Sequence, residues 1–270
     1  MKAAPIVKWA GGKRQLLDEL LARTPGEFGA YHEFFLGGGA LFFELCAQGK
    51  IEEAYLSDVN PKLMNVYEIV KHKPYELLEE LKCGKYRNDE ATFYKIRENE
   101  PEDTVQKAAR FIYLNKTAFN GLYRENSTGK FNVPFGRYSN PKIANEDGIL
   151  EASEALAQAR LLCGDFTEIL KHAKKGDFAY FDPPYVPLTK TASFTAYTAG
   201  RFGPEDQARL KMAVDKLVDE GVRVLLSNSE TPFVAELYAG YEQVVVSANR
   251  MINCQADKRG KIRELLVVAN

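Results

Sequence analysis

An apolar run in the second half of the chain ends in an acidic double-proline turn, Phe178-Ala179-Tyr180-Phe181-Asp182-Pro183-Pro184-Tyr185. Four apolar residues in a row predict a short buried strand, and the prolines must end it, because proline has no backbone N–H to donate to a neighbouring strand. A carboxylate and an aromatic ring therefore follow the strand directly. Ligands of parallel sheets bind beyond the carboxyl ends of the strands, so this turn is a candidate site. The plainer interpretation is a Pro-Pro turn that only terminates the strand.

The Asp182–Tyr185 turn suits an amino group conjugated with an aromatic ring. The lone pair of the exocyclic amino nitrogen of adenine is delocalised into the ring, which makes the nitrogen a poor nucleophile. If Asp182 and the carbonyl of Pro183 each accept one of its hydrogens, the nitrogen can become tetrahedral, while Pro184 stiffens the loop and Tyr185 stacks on the flipped base. The turn therefore favours methyl transfer to adenine through positioning and electrostatic complementarity.

A glycine cluster, Gly37-Gly38-Gly39, separates a predicted strand at 30–36 from a predicted helix beginning at Ala40. A second strand at 54–57 is followed by Asp58, at the spacing from which a carboxylate accepts from ribose hydroxyls. Phe42 occupies the position of the third glycine of the dinucleotide fingerprint. That substitution disfavours a pyrophosphate and favours a nucleoside such as S-adenosylmethionine. A purely structural turn is the alternative.

The rest of the chain predicts one α/β domain with an inserted lobe. Residues 73–155 carry charged amphipathic helical patterns around a segment rich in Asn, Gly, Arg and aromatics, whereas the flanking parts alternate strand and helix. Further predicted elements are a helix from Asn60-Pro61 to about Val70, strands at 161–165 and 222–227, a helix at 205–220, and strands at 242–246 and 264–268 around a polar loop. We expect residues 1–72 and 156–270 to form the catalytic domain, and 73–155 a DNA-binding, target-recognition domain.

The charge of the chain is unevenly distributed. The net charge is −1, with 45% hydrophobic and 27% charged residues, as in ordinary globular proteins. Between Lys107 and Lys142, however, seven cations are opposed by Glu125 alone: Lys107, Arg110, Lys116, Arg124, Lys130, Arg137 and Lys142. This separation predicts a basic groove for a nucleic acid. A merely solvated surface is the alternative for any one cluster.

Other features exclude several classes. The four cysteines and three histidines lack the spacing of a metal site, so we expect reduced thiols and no metal. There is no run that resembles a signal peptide and no apolar stretch long enough to cross a membrane. We therefore expect a cytoplasmic protein without membrane contact, and a monomer in solution.

The chain resembles the Dam family of DNA adenine methyltransferases over nearly its whole length. The similar segments are Lys8-Trp9-Ala10-Gly11-Gly12-Lys13, Glu33 through Gly39, Asp58-Val59-Asn60 and Asp182 through Tyr185, in the order of that family. The resemblance implies a Rossmann-like, S-adenosylmethionine-dependent methyltransferase sheet with an inserted, mainly helical recognition lobe that contains a β-hairpin. It implies cofactor contacts from Trp9, Ala10, Lys13, Glu33, Phe35, Gly37, Gly39, Asp58, Asp165 and Asp182. Considered without the resemblance, Trp9 would be a core residue and Lys13 a surface residue.

The middle lobe is similar to the recognition hairpin of the members that methylate GATC in double-stranded DNA. By this likeness Arg124 would read guanine, Leu122 and Pro134 would contact the thymine methyl, and Tyr138 would support the readout. Phe119 and Asn120 would fill the space left by the flipped adenine, although Phe119 could equally be lobe core. The resemblance extends DNA binding to Lys8, Asn132 and Arg137.

Two other functions use part of the same pattern. Asp/Asn-Pro-Pro-Tyr motifs also serve enzymes that methylate RNA adenines or protein glutamine amides, and the basic, aromatic segment at 107–142 favours duplex DNA over these. A DNA-binding regulator that has lost catalysis is the other alternative. The intact Asp182–Tyr185 turn weighs against it.

Overall fold

A single mixed sheet organises the residues that the computed structural model describes, which are 3–185, 202–249 and 261–270. Its seven strands are β1 (Tyr31–Glu33), β2 (Ala54–Asp58), β3 (Ala159–Cys163), β4 (Phe178–Phe181), β5 (Arg223–Ser229), β6 (Glu242–Asn249) and β7 (Lys261–Ala269). They lie in the order β3-β2-β1-β4-β5-β7-β6. β1 is parallel to β2 and β4, and β4 is parallel to β5, whereas β7 is antiparallel to β5 and β6.

The strand order changes direction at the centre of the sheet. From β1 the chain first builds β2 and β3 on one side, and then builds β4 and β5 on the other. Glu33 of β1 is aligned with Leu56 of β2 and with Tyr180 of β4, so these three strands end at the same edge. This doubly wound arrangement confirms the Rossmann-like α/β fold, and β1 and β4 flank the point at which ligands bind in such sheets.

Nine α-helices lie in the described part of the chain. They are α1 (Leu17–Leu21), α2 (Ala40–Ala47), α3 (Pro61–His72), α4 (Pro74–Lys82), α5 (Glu90–Glu98), α6 (Thr104–Thr117), α7 (Glu146–Leu156), α8 (Pro204–Asp219) and α9 (Pro232–Leu237). The Asn60-Pro61 signal begins α3 as predicted, because the Asn60 side chain accepts from the backbone N–H groups of Lys62 and Leu63. None of the described helices is long and apolar enough to cross a membrane.

The bounds of two predicted strands need correction. The strand predicted at 30–36 is limited to Tyr31–Glu33. The strand predicted at 161–165 begins earlier and ends at Cys163. Asp165 is not in the strand, because its side chain caps the 3₁₀ turn Phe166–Lys171 by accepting from the N–H of Thr167. The predicted final strand pair is present, and the centre of its loop, 250–260, lies outside the described residues.

The chain divides into two compact units. The first comprises Met1–Gly12, Gly37–Lys50 and Ser57–Gly164, and the second comprises Lys13–Leu36, Ile51–Leu56 and Asp165–Asn270. This division follows the density of contacts. The functional division at 73 and 155 stays a prediction.

The first unit has a helical core. α3 packs against α6 and α7, and α4 packs against α6. Tyr67 of α3 and Tyr113 of α6 are completely buried, and the Tyr113 hydroxyl donates to the carbonyl of Arg87 at 2.8 Å. The lobe inserted between β2 and β3 is thus mainly helical, as expected.

The expected β-hairpin lies between α6 and α7. Antiparallel bridges join Ala118 to Phe135 and Glu125 to Phe131, and the turn closes where the N–H of Asn126 donates to Lys130 at 2.9 Å. The hairpin is therefore a short ladder of bridges and not a pair of long strands.

The second unit is built on the centre of the sheet. All four residues of β4 are buried, and Phe178 packs against Phe28 and Tyr31 with ring centroids 5.5 and 5.7 Å apart. α8 packs on β5, and the buried residues of α8 include Leu210, Val214 and Leu217. Apolar burial of this kind is the main term that stabilises such a sheet.

Candidate active site

The glycine turn and Asp58 meet in the first unit. Asp58 ends β2 with only 9% of its surface exposed, and its Oδ2 accepts from the N–H of Gly37 at 3.0 Å. Its Oδ1 accepts from the N–H of Asn60 at 2.9 Å. Burial raises the pKa of Asp58, although backbone hydrogen bonds from Asn60 and Gly37 oppose the rise. The carboxylate is held in one orientation and retains lone pairs that can accept from hydroxyl groups.

Trp9 packs directly on this glycine turn. Gly37 has φ +47°, and a Cβ atom there would lie 2.6 Å from Cδ1 of Trp9. The indole also stacks with Tyr123 and Phe111, at centroid distances of 5.6 and 6.4 Å. Gly39 also has a positive φ, +65°, where it begins α2. The structure thus brings together Trp9, Gly37 and Asp58, whereas Ala10 is exposed beside them.

Asp182 follows β4 in the second unit and has partners on both oxygens. Its Oδ2 forms an ion pair with Nζ of Lys13 at 2.8 Å, and its Oδ1 accepts from the Ser227 hydroxyl at 3.0 Å. Ser227 in turn lies 3.0 Å from the hydroxyl of Tyr180. The Lys13 side chain is 6% exposed, so the solvated position considered for it does not occur. The Asp182 carboxylate is therefore fixed in a polar network and neutralised by a buried ammonium group.

Tyr185 completes this network. Its hydroxyl donates to Oε2 of Glu264 at 2.5 Å, and Nζ of Lys13 lies over its ring, 4.7 Å from the centroid. Burial raises the pKa of Tyr185 well above its ordinary value, and the negative charges of Asp182 and Glu264 raise it further. Tyr185 is therefore a neutral hydrogen-bond donor at physiological pH.

Side chains of neighbouring elements hold the two prolines between Asp182 and Tyr185 in place. Pro183 is buried, and the carbonyl of Pro184 accepts from Nε2 of Gln207 at 3.2 Å. The Gln207 side chain is itself held, because its Oε1 accepts from Nδ2 of Asn228 at 3.0 Å. Side chains from α8 and β5 therefore fix the backbone of this turn.

Three other predicted cofactor residues belong to the second unit. Glu33 is buried and accepts from the Tyr31 hydroxyl at 2.9 Å. Phe35 is half-buried and packs against Phe166 with a centroid separation of 5.4 Å. Asp165 is exposed and paired with Arg209 at 2.9 Å. The described contacts therefore do not join Asp165 to the Asp182 network.

The predicted base reader Arg124 is exposed on the hairpin. Its Nε donates to Oδ1 of Asn132 at 2.7 Å, so two predicted DNA-binding residues form one unit across the hairpin. The predicted thymine contacts Leu122 and Pro134 lie on the same segment, half-buried and exposed respectively. Such a surface can present a guanidinium fork beside apolar groups.

The remaining predicted DNA-binding residues surround the base of the hairpin. Nζ of Lys8 lies 5.0 Å from the ring centroid of Tyr138, while Arg137 has φ +55° and its guanidinium is 3.7 Å from Glu90. Phe119 is 43% exposed, so its ring is not lobe core. Asn120, beside it, has the left-handed φ of +56°.

Sequence reasoning missed several residues of the second unit. Glu264, Ser227 and Gln207 contact the Asp182–Tyr185 turn, yet none was a candidate. The available signal was polarity inside apolar strands: Ser227 and Asn228 interrupt a buried run, and Glu264 precedes another. Within the described ranges, no group of three or more His, Cys, Asp or Glu side chains is arranged to hold a metal ion.

A doubly wound sheet with an acidic Pro-Pro turn after a central strand is the arrangement that the sequence predicted for an α/β methyltransferase. The chain belongs to the D12 class N6 adenine-specific DNA methyltransferases, whose family model matches residues 9–252. The resemblance seen in the sequence is thereby confirmed, and the chain is an adenine-specific DNA methyltransferase.

Curated relatives are similar over almost the whole chain. The Type II methyltransferase M1.LlaDCHI of Lactococcus lactis subsp. cremoris is 41% identical over 97% of this chain and 94% of its own length. The Type II methyltransferase M.MjaIII of Methanocaldococcus jannaschii is 41% identical over 99% of each chain. The DNA adenine methylase of Vibrio cholerae is 35% identical over 99% of this chain and 96% of its own.

Proposed function

We propose that the chain transfers a methyl group from S-adenosylmethionine to N6 of an adenine in duplex DNA, within GATC, after the base is flipped out of the helix. The observation that carries this proposal is the Asp182 carboxylate, fixed after β4 by Lys13 and Ser227 next to the ring of Tyr185. A carboxylate and an aromatic face side by side are what an amino-substituted purine requires.

The residues around the glycine turn fit the nucleoside part of the cofactor. Asp58 offers oriented acceptor oxygens for hydroxyl groups, and Gly37, which has no side chain, lets the Trp9 indole pack directly on the turn. We assign Trp9, Ala10 and Gly39 to cofactor binding as well, together with Glu33, Phe35, Asp165, Lys13 and Asp182 of the second unit. When bound, S-adenosylmethionine supplies a methyl group already activated by its sulfonium charge.

The Asp182–Tyr185 turn acts on the adenine. Asp182 and the Pro183 carbonyl each accept one amino hydrogen, which draws the nitrogen toward a tetrahedral geometry and frees its lone pair. Tyr185 stacks on the ring, and Pro183 and Pro184 keep the loop rigid. Because the ammonium of Lys13 occupies Oδ2 of Asp182 and one face of Tyr185, it must move aside when the adenine enters.

The inserted lobe provides sequence recognition. Arg124, oriented by Asn132, donates to guanine, and Leu122 and Pro134 contact the thymine methyl. Phe119, whose ring is exposed, occupies the space that the flipped base leaves, with Asn120 beside it. Lys8, Arg137 and Tyr138 contribute contacts to the DNA around these bases. The excess of cations between 107 and 142 supports a polyanionic partner.

Methyl incorporation tests the proposal. Labelled S-adenosylmethionine is incubated with a GATC duplex, with a duplex in which the site is scrambled, and with an RNA of the same sequence. We expect label in the GATC duplex only, and its loss with Asp182→Ala, which should still bind DNA. Equal label in the scrambled duplex would contradict GATC specificity. Label in the RNA alone would contradict a DNA substrate, and appreciable turnover by Asp182→Ala would contradict the role of the turn.

A further inference from the structure

We propose that Glu264 is a positioning residue for methyl transfer, which acts by accepting the phenolic hydrogen of Tyr185 and so fixing the ring on which the adenine stacks. The inference rests on the proposed function, because it presupposes that Tyr185 faces the target base. It adds a residue far along the chain from the Asp-Pro-Pro-Tyr motif, on a strand that the motif does not include.

The position of Glu264 in the sheet explains how it reaches Tyr185. β7 is antiparallel to β5, and Glu264 is paired with Ser229, the last residue of β5. Since β4 and β5 are parallel, the ends of these two strands and the beginning of β7 lie at the same edge of the sheet. The Oε2 atom of Glu264 lies 2.5 Å from the Tyr185 hydroxyl, the distance of a charge-assisted hydrogen bond.

A carboxylate is a costly choice for this role. Glu264 is 9% exposed, and a neutral side chain could accept the same hydrogen without the desolvation cost of a buried charge. Burial raises the pKa of Glu264, and the neighbouring Asp182 raises it further, while Lys13 and the hydrogen bond from Tyr185 oppose the rise. The negative charge of Glu264 also contributes to the raised pKa of the buried Tyr180 hydroxyl. A costly group at a reaction centre indicates a functional contribution.

The negative charge gives Tyr185 a property that a neutral acceptor would not. A phenol that donates to a carboxylate has a more electron-rich ring, and an electron-rich ring attracts cations more strongly. Lys13 already uses this face, with Nζ 4.7 Å from the centroid. The adenine gains positive charge as its nitrogen forms the bond to the methyl carbon, so the same face stabilises it most in the transition state.

Single-turnover methylation of a GATC duplex, at saturating DNA and cofactor, tests the inference. We expect Glu264→Ala to slow the methylation step by on the order of tenfold or more, since loss of ring positioning affects the rate and not the DNA affinity. Glu264→Gln, which keeps an acceptor oxygen, should recover part of that loss. Tyr185→Phe should slow the step similarly, and the Glu264→Ala/Tyr185→Phe double variant should be no slower than either single variant.

A matched control is available in the same unit. The Tyr241 hydroxyl donates to Oδ1 of Asp215 at 2.5 Å, on α8 and outside the Asp182 network. Asp215→Ala removes an equivalent acceptor, and it should leave the rate of methylation unchanged. A rate loss in Asp215→Ala equal to that in Glu264→Ala would overturn the inference, because loss of any Tyr–carboxylate contact would then slow methylation.

The remaining outcomes separate the inference from the proposed function. A Glu264→Ala enzyme with the wild-type rate, beside an inactive Asp182→Ala enzyme, would overturn the inference and leave the proposed function intact. An active Asp182→Ala enzyme would overturn both. If Glu264→Ala does not fold, Tyr185→Phe decides: a wild-type rate there would show that the hydroxyl contact has no role. A double variant with multiplied losses would show that Glu264 does not act through Tyr185.

Discussion

Gly37→Ala should destabilise the protein by an amount that its local geometry determines. An alanine at φ +47° adopts the left-handed conformation at a cost of about 1–2 kcal/mol. Its Cβ would also lie 2.6 Å from Cδ1 of Trp9. The indole cannot easily move away, because it stacks with Tyr123 and Phe111, so overpacking should add about 1–3 kcal/mol. Together, the left-handed conformation and the overpacking should lower the free energy of unfolding of Gly37→Ala by about 2–5 kcal/mol.

Gly49→Ala is the control for the conformational part. Gly49 has φ +69°, and a Cβ atom there would have nothing within 4 Å. Gly49→Ala should therefore lower the free energy of unfolding by only about 1–2 kcal/mol. Urea unfolding of the two variants, followed by circular dichroism, measures the difference, which reports the contact with Trp9 alone.

Cofactor titration by calorimetry gives the functional half of the same prediction. Since Gly37 donates its N–H to Asp58, a displaced turn should weaken S-adenosylmethionine binding in Gly37→Ala and leave it unchanged in Gly49→Ala. Equal free energies of unfolding for the two variants would refute the packing of Trp9 on the turn. Equal cofactor affinities would refute the role of the turn in binding.

Three further predictions concern cations. Discrimination is measured as kcat/KM for a GATC duplex divided by kcat/KM for a duplex in which the guanine is replaced. Arg124→Ala should lower this ratio about 5- to 150-fold, which is equivalent to ~1–3 kcal/mol. An unchanged ratio would show that Arg124 does not read the base. Lys13→Met should lower the free energy of unfolding by up to about 3–5 kcal/mol, because it leaves Asp182 without its counter-ion. Urea unfolding at neutral pH measures this loss, and no change would show that the ion pair does not stabilise the fold. Lys62→Ala removes the ammonium that binds Glu125 and the Gly129 carbonyl, so amide hydrogen exchange of the hairpin should accelerate. Lys82→Ala breaks a surface pair with Glu146 and should not affect this exchange. Equal exchange rates in the two variants would show that Lys62 does not hold the hairpin in place.

Local signals predicted much of the fold. β4 has the predicted bounds because an unbroken apolar run is ended by prolines, which no strand interior tolerates. α3 begins at Pro61 as expected because its cap is encoded in the two adjacent residues, Asn60 and Pro61. The bounds of β4 and the start of α3 depend on residues adjacent in the chain, so they can be predicted from a single sequence.

Long-range partners could not be predicted in the same way. The sequence indicated two final strands but not that β7 inserts between β5 and β6, and that insertion is what brings Glu264 to Tyr185. The pairing of Lys13 with Asp182 likewise joins the beginning of the chain to its second half. The family resemblance named both residues, yet a resemblance between motifs does not specify which side chains meet.

The proposed mechanism requires that the Asp182 turn hold the amino group of a flipped adenine. A crystal structure of the protein with a GATC duplex and a non-reactive cofactor analogue measures this directly, through the distance from N6 of the adenine to the Asp182 carboxylate. We predict an extruded adenine with N6 within about 3.2 Å of that carboxylate, its ring on Tyr185, and Lys13 displaced. An adenine still stacked in the helix, with Lys13 still paired to Asp182 in that bound complex, would contradict the claim.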